Sequence, residues 1–171
     1  MFKYIYIFLV FIFNCAKVNT IQSVENVNLE KFMGDWFVVA SVPTFIEKNA
    51  INPIETYTLN DNGYIDTKFT FYTSPLMDKK KTYTAKAYIK NRFTNAEWGM
   101  QFFWPIRFSY LIIDLEENYK YTVISVPSKK YIWIMSKSKM IDDLTYNQII
   151  KNLDEDGYNV EKIKKTNQIL D

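Results

Sequence analysis

The stretch Phe32-Met33-Gly34-Asp35-Trp36-Phe37-Val38-Val39-Ala40 marks a change from a helical turn to a strongly apolar strand. The preceding residues, Asn28 to Phe32, begin with a good N-cap and carry an acid in the first turn. Gly34 can adopt backbone angles that other residues avoid and therefore ends the turn. After it, Trp36, Val38 and Ala40 alternate with their neighbours, which places all three on one predicted strand face.

Composition sets the range of functions that the chain can perform. Its 171 residues suffice for one domain with a real core, and 18% of them are aromatic, a composition that favours strands. With 21 basic and 19 acidic residues the net charge is +2, so we expect no nucleic-acid partner. The chain has no histidine and a single cysteine, Cys15. That composition excludes Ser-His-Asp and Cys-His catalysis, histidine metal sites, cysteine zinc clusters and intrachain disulfides, and we expect no metal and no cofactor.

The N-terminus has the pattern of an export signal. Lys3 is followed by an apolar run from Tyr4 to Phe13, about ten residues, which is too short for a stable membrane-spanning helix but suits a secretory signal within residues 1–20. Cys15 directly follows this run, and the arrangement resembles a bacterial lipoprotein signal, although Phe13 and Asn14 depart from the usual small residues. Two interpretations stay open: lipidation of Cys15 as the first mature residue, or cleavage of an ordinary signal near Thr20. Residues 21–27 would then form a tether.

Period-two alternation continues through most of the remaining chain. The turn Asn60-Asp61-Asn62-Gly63 is a strong hairpin signal. The alternation predicts eight strands, at the spacing of an antiparallel barrel or sandwich. The first strand follows Gly34, and the other seven are residues 54–60, 64–73, 82–90, 98–104, 108–115, 121–126 and 131–137. Asp142 and Asp143 then begin a predicted helix that ends at Asp156-Gly157, and residues 158–166 form a predicted last strand.

This order of elements, together with three short motifs, resembles the lipocalin family over nearly all of Val27 to Gln168, and most closely its bacterial lipocalin and apolipoprotein D-like subgroup. The first motif is Asn28 to Trp36. The second is Glu116 with Tyr119, where the family usually has Asp at the acid, and the third is Tyr131 to Lys137, which usually ends in Arg. The stretch Gly157 to Ile163 also resembles the segment after the helix in that subgroup.

The resemblance implies an all-β fold for residues 28–171: an eight-stranded antiparallel up-and-down barrel with a C-terminal α-helix and a short final strand. It also implies that Gly34, Trp36, Glu116, Tyr119 and Lys137 are structural motif residues. The third-motif cation should lie over the first-motif tryptophan and close one end of the barrel, although Lys137 lacks the flat stacking surface of an arginine.

The inward face of such a barrel is the candidate ligand site. Our cavity candidates are Trp133, Tyr57, Phe69, Phe71, Tyr83, Met100, Phe102 and Met135, with Leu59 on the same predicted face. For each of them the alternative is plain barrel packing. The set is apolar and aromatic and would suit an acyl chain. The resemblance likewise implies a fatty acid, a lysophospholipid or another small hydrophobic ligand.

Charged residues give two further predictions. Lys86, Lys90 and Arg92 could meet a carboxylate or phosphate at the barrel mouth, or could simply be solvated. The run Lys79 to Lys81 could attract anionic lipid headgroups.

We therefore expect a lipid carrier or store at the cell envelope and not an enzyme. It would be exported, to the periplasm or a lipid-anchored outer-membrane position if bacterial, and otherwise secreted. The alternatives are a lipocalin-fold enzyme of the isomerase kind, and a haem-binding or protein-interaction module.

Overall fold

The computed structural model describes residues 21–169. The predicted signal peptide and Cys15 lie outside these residues. The elements are α1 (Leu29–Phe32), β1 (Gly34–Val42), β2 (Ile51–Leu59), β3 (Ile65–Tyr72), β4 (Lys80–Ile89), β5 (Glu97–Phe103), β6 (Ile106–Leu115), β7 (Tyr121–Ser125), β8 (Ile132–Ser136), α2 (Asp143–Glu155), a 3-10 turn (Val160–Lys162) and β9 (Lys164–Lys165).

Strands β1 to β8 form a closed, antiparallel, up-and-down barrel. Each strand pairs with the next along the chain from β1 to β8, and β1 also pairs with β8, which closes the sheet. The short strand β9 adds to β1 next to β8. The predicted fold class is confirmed, and closure leaves the eight barrel strands without a free edge in the closed sheet.

Both α-helices begin with a side-chain N-cap at the residues that the sequence predicts. The Asn28 side chain accepts a hydrogen bond from the Lys31 amide at 3.1 Å and caps α1. Gly34 then takes a φ of +92°, which a residue with a Cβ would reach only under strain. Asp142 caps α2 by accepting from the Thr145 amide at 2.9 Å.

Two separate apolar clusters hold the molecule together. One fills the barrel interior and includes Phe32, Trp36 and Trp98. The other lies outside the barrel, where Ile149 and Leu153 of α2 cover the outward face of β1, β7 and β8. The helix therefore buries its apolar stripe against the barrel wall and leaves the barrel ends uncovered.

Two predictions about strand geometry are wrong. The pairing of β1 with β8 shifts register between Val38 and Ala40, so that Ala40 packs in the outer cluster and not on the face shared by Trp36 and Val38. An extra residue at such a bulge reverses the facing of those that follow. The last strand is also shorter than residues 158–166, because only Lys164–Lys165 pairs with β1.

The up-and-down order assigns every connection to one of two ends. We call the end formed by residues 43–50, 73–79, 104–105 and 126–131 the mouth, and the opposite end, which α1 joins, the closed end. Within residues 21–169, no helix combines the length and apolar character needed to cross a bilayer.

Candidate ligand-binding site

The closed end is filled by aromatic rings. The Phe32 ring centre lies 5.0 Å from that of Trp36, 5.4 Å from that of Tyr57 and 5.3 Å from that of Trp98. The Trp36 indole donates a hydrogen bond of 2.8 Å to the Phe32 carbonyl, which ties the start of β1 to α1. These side chains leave no accessible surface on Trp36 or Trp98, both 0% exposed.

Lys137 covers this cluster from outside. Its ammonium lies 4.1 Å from the Trp36 ring centre and donates a 2.9 Å hydrogen bond to the Met33 carbonyl. Burial lowers the pKa of the Lys137 ammonium below its ordinary value, an effect that the Asp35 charge partly opposes. The contact expected between the first and third motifs is therefore present, with lysine in the position of the usual arginine.

The second motif forms a tight turn next to this plug. Glu116 accepts hydrogen bonds from the Lys120 amide at 3.1 Å and the Asn118 amide at 2.9 Å, and these bonds lower the pKa of its carboxyl. The Tyr119 hydroxyl accepts from the Asn28 amide at 2.8 Å and so connects the turn to α1. Glu116 and Tyr119 thus organise the closed end, where Tyr119 packs against the interior cluster.

The interior opens towards the mouth. Tyr83 pairs with the inward-facing Phe69, and Phe108 pairs with the inward-facing Met100. Tyr83 and Phe108 therefore point inwards, from positions near the mouth. They remain 37% and 49% exposed, in contrast with the fully buried rings at the closed end. The barrel is therefore filled in its closed half, whereas in its mouth half Tyr83 and Phe108 keep accessible surface and Phe71 is buried. We call this mouth half the open half.

Most of the predicted cavity residues lie on the inner face. Tyr57, Met100 and Met135 are buried within the interior cluster, and Phe69 and Trp133 are half-buried against it. Phe71 is buried between the rings of Phe69 and Tyr83, at centre distances of 5.2 and 6.1 Å.

Two predicted inward residues lie at the ends of the barrel instead. Phe102 lies on the rim beside Phe108 and is largely exposed, while Leu59, near the closed end, is also partly exposed. Of the predicted set, Phe69, Tyr83 and Trp133 are the inward-facing residues that keep accessible surface next to the open half.

The structure also places two acids beside this set that the sequence prediction missed. Glu55 pairs with Phe69 and Trp36 and shares their inward face. Glu47, in the β1–β2 connection, accepts the Trp133 indole N–H at 3.2 Å through both carboxylate oxygens. The two-residue spacing from Glu55 to Tyr57 was a usable signal, because both must face the same way. No local signal could have found Glu47, since a loop has no fixed facing.

The pKa values of both carboxyls are raised, which favours their neutral forms. Burial raises the pKa of Glu55 to about 8, and the nearby Glu47 charge adds to the effect. Burial likewise raises the pKa of Glu47, against hydrogen bonds from Thr44 and Trp133 that lower it. At neutral pH the interior beside Glu55 is therefore mostly uncharged.

Tyrosine hydroxyls form a second polar group deeper in the barrel. The hydroxyls of Tyr57 and Tyr110 are hydrogen-bonded to each other, and Tyr110 stacks on Trp133 at a ring-centre distance of 6.3 Å. Burial raises the pKa of both hydroxyls well above 10.0, so both stay protonated at neutral pH.

Of the two alternatives for Lys86, Lys90 and Arg92, a place at the mouth is wrong, because these residues lie elsewhere. Lys86 lies on the outer face, 4.5 Å from the Tyr64 ring centre. Lys90 and Arg92 belong to the β4–β5 connection at the closed end, where Lys90 donates to the Ser109 hydroxyl at 2.8 Å. Among residues 21–169, no three acidic or cysteine side chains converge in a way that could hold a metal ion.

Comparison with known proteins agrees with this architecture. A family model described as a lipocalin-like domain matches residues 27–168, most of the chain. The chain belongs to the lipocalin family. This lipocalin is 28% identical over 156 residues to temperature-induced lipocalin-1 of Arabidopsis thaliana, covering 86% of the chain and 82% of the relative. It is 26% identical over 140 residues to the outer membrane lipoprotein Blc of Citrobacter freundii, covering 82% and 78%.

Solved structures support the same fold for this lipocalin. Insecticyanin from the tobacco hornworm Manduca sexta superposes with a TM-score of 0.67 at 17% identity, covering 85% of the chain and 83% of insecticyanin. The cockroach allergen Per a 4 superposes with a TM-score of 0.65 at 18% identity, covering 88% and 96%. The similarity in sequence to Blc supports the expected bacterial lipocalin relationship.

Proposed function

We propose that this lipocalin binds one small hydrophobic ligand, a fatty acid or a lysophospholipid, in the open half of its barrel and carries or stores it at the cell envelope. The observation that carries the proposal is the gradient of burial inside the barrel. Rings fill the closed half, whereas Phe69, Tyr83 and Trp133 keep accessible surface towards the mouth. An acyl chain placed there would gain about 25 cal/mol for each Å² of apolar surface removed from water.

The character of the interior around Glu55 supports a particular orientation of the ligand. A carboxylate or phosphate placed deep in the barrel would lose its hydration beside aromatic rings and the mostly neutral Glu55, which supply no positive charge. A hydrocarbon chain meets no such penalty. We therefore propose that the tail enters first and the headgroup stays at the mouth, near lysines of the β3–β4 connection such as Lys79.

The assignment of a binding role, and not a catalytic one, rests on the character of the interior. The groups able to exchange a proton there are Glu47, Glu55 and the Tyr57–Tyr110 pair, and the hydroxyls of that pair stay protonated at neutral pH. The remaining inner wall is mostly hydrocarbon and aromatic, and its other polar atoms include the hydroxyls of Thr67 and Tyr83.

The proposed location rests on the N-terminal sequence and on the relatives named as outer membrane lipoproteins. We propose that the protein is exported, with Cys15 as the lipidation candidate and cleavage near Thr20 as the alternative. The intact mass of protein purified from its own membranes separates the two. A diacylglyceryl-sized addition supports the anchor, and an unmodified chain beginning near Thr20 contradicts it.

The binding proposal is tested by titrating delipidated protein with palmitate and with lysophosphatidylethanolamine, following tryptophan fluorescence. The test variant is Tyr83→Asp, because Tyr83 lies on the inner face near the mouth and an acyl chain would have to desolvate a carboxylate there. Thr84→Asp is the matched control, since Thr84 is exposed on the outer face of the same strand. We expect at least tenfold weaker binding for Tyr83→Asp and unchanged binding for Thr84→Asp. Absence of saturable binding to the wild-type protein would contradict the proposal.

A further inference from the structure

Large apolar side chains project from three of the four connections at the mouth. Phe45 in the β1–β2 connection is 91% exposed, Leu76 in the β3–β4 connection is 84% exposed, and Trp104 between β5 and β6 is 86% exposed. Phe103 and Ile106 flank Trp104 and are also exposed. These side chains belong to separate loops, yet the barrel topology brings the loops to the same end. Exposed apolar surface of this extent marks an interaction site.

The same end carries an excess of positive charge. Lys79, Lys80 and Lys81 lie in sequence where β4 begins, just after Asp78, and all three are exposed. Asp78 is the one acid of the β3–β4 connection, and the acid of the β1–β2 connection, Glu47, is turned inwards to Trp133. At the closed end the strand connections are balanced in charge, with three acids and three bases: Asp61, Glu116, Glu117, Lys90, Arg92 and Lys120.

We propose that the mouth docks on the surface of an anionic lipid bilayer, with Trp104, Phe45 and Leu76 inserted at the headgroup level and Lys79 to Lys81 on anionic headgroups. Aromatic rings favour the bilayer interface because one part of the ring meets hydrocarbon and another meets water. Basic residues beside inserted apolar groups are attracted to anionic lipid. Exposed apolar side chains on separate loops can insert into a fluid lipid surface, which does not have to match their shape in advance.

This surface extends beyond the interior site, and docking does not depend on what the barrel binds. If the protein is a carrier, a mouth held against the bilayer lets a hydrophobic ligand pass between membrane and barrel without crossing water.

The depth of individual residues in the bilayer tests the proposal. Full-length protein is mixed with phosphatidylcholine vesicles containing phosphatidylglycerol and brominated acyl chains, which quench nearby tryptophan. We expect bromine quenching of wild-type fluorescence that is largely lost in Trp104→Phe, because Trp36 and Trp98 are buried at the closed end and Trp133 is half-buried inside the barrel. The matched control is Phe93→Trp in the Trp104→Phe background, since Phe93 is 97% exposed in the β4–β5 connection at the closed end. That tryptophan should escape quenching. Equal quenching at positions 93 and 104, or none at 104, would overturn the proposal.

The charge component is tested separately on the same vesicles. The triple variant Lys79→Gln, Lys80→Gln, Lys81→Gln should bind them roughly a hundredfold more weakly, at about fivefold per lysine. The variant Lys31→Gln, Lys90→Gln, Lys120→Gln changes the net charge equally at the closed end and should keep most of the affinity. Raising the salt concentration should reduce the difference. Equal losses in the two triple variants, or equal binding of wild-type protein to vesicles of phosphatidylcholine alone, would contradict docking on anionic lipid. A requirement for a protein in the membrane, with lipid vesicles inert, would also contradict it.

Discussion

The ammonium of Lys137 lies over the Trp36 ring, 4.1 Å from its centre, and thereby connects the end of β8 to the start of β1. The same nitrogen bonds the Met33 carbonyl, where α1 ends. One side chain thus holds three elements together at the closed end. These contacts close the barrel at the end opposite the mouth.

Replacing this cation should measurably destabilise the barrel. We expect Lys137→Ala to lower the free energy of unfolding by about 1–2 kcal/mol, since it removes a partly desolvated cation–π contact and a hydrogen bond. Lys137→Arg should retain the stability or raise it, because a guanidinium stacks flat on an indole. Urea denaturation provides the measurement, and Lys120→Ala, at an exposed lysine of the neighbouring turn, is the control. Wild-type stability in Lys137→Ala would show that the contact contributes nothing.

The hydroxyls of Tyr57 and Tyr110 should be energetically coupled. Tyr57→Phe leaves the Tyr110 hydroxyl buried beside a ring that cannot pair with it, at a cost of about 1–2 kcal/mol. The double variant Tyr57→Phe, Tyr110→Phe removes both polar groups and should cost less than the two single changes together. A double-mutant cycle of unfolding free energies measures the coupling, which we expect to be about 1 kcal/mol. Additive costs would mean that the two hydroxyls act independently.

Glu55 should make the protein less stable as the pH rises. The folded protein keeps a proton on Glu55 up to pH about 8, whereas the unfolded chain releases it near pH 4.5. Between these values the unfolded state binds fewer protons, so the free energy of unfolding falls as pH rises. We expect Glu55→Gln to gain stability relative to wild type by up to about 4 kcal/mol between pH 5 and pH 9. Parallel stability profiles for the two proteins would contradict a raised pKa.

The same carboxyl should control ligand affinity. Above pH 8 the ionised Glu55 introduces a charge beside the proposed path of the acyl chain, so binding of a lysophospholipid should weaken. Glu55→Gln should remove this pH dependence and keep the affinity measured at pH 6. Fluorescence titrations at pH 6 and pH 9 provide the comparison. An identical fall in affinity for both proteins would place the effect on another group.

The bond between Trp133 and Glu47 should hold the β1–β2 connection over the mouth. Trp133→Phe keeps a ring in place but removes the indole N–H that both Glu47 oxygens accept. Hydrogen exchange should then become about tenfold faster at the Glu47 and Ala50 amides, which bond within this connection. Tyr131→Phe, which keeps the ring stacked on Trp133, should leave exchange unchanged. Unchanged exchange in Trp133→Phe would mean that the loop is held by its own backbone bonds.

Local patterns predicted the strands and the helix well because each depends on neighbours in sequence. The alternation from Tyr64 to Thr73 and the turn at Asn60 to Gly63 correspond to β3 and its hairpin. The extra residue near Val39 was different. Nothing in the run Phe37 to Ala40 distinguishes a regular strand from a bulged one, because all four side chains suit either face. Packing on both sides of β1, with the interior on one and α2 on the other, decided the facing of Ala40.

The sequence by itself determined the order of elements, the capped helix starts and most of the inward aromatic set, since alternation and turn chemistry are local properties. The Trp36–Lys137 pair followed from the family resemblance. Only the tertiary structure decided which half of the barrel is open, that Glu47 folds back onto Trp133, and that Phe45, Leu76 and Trp104 meet at one rim. These relationships join residues far apart in the chain, and only closure of the barrel sets their distances.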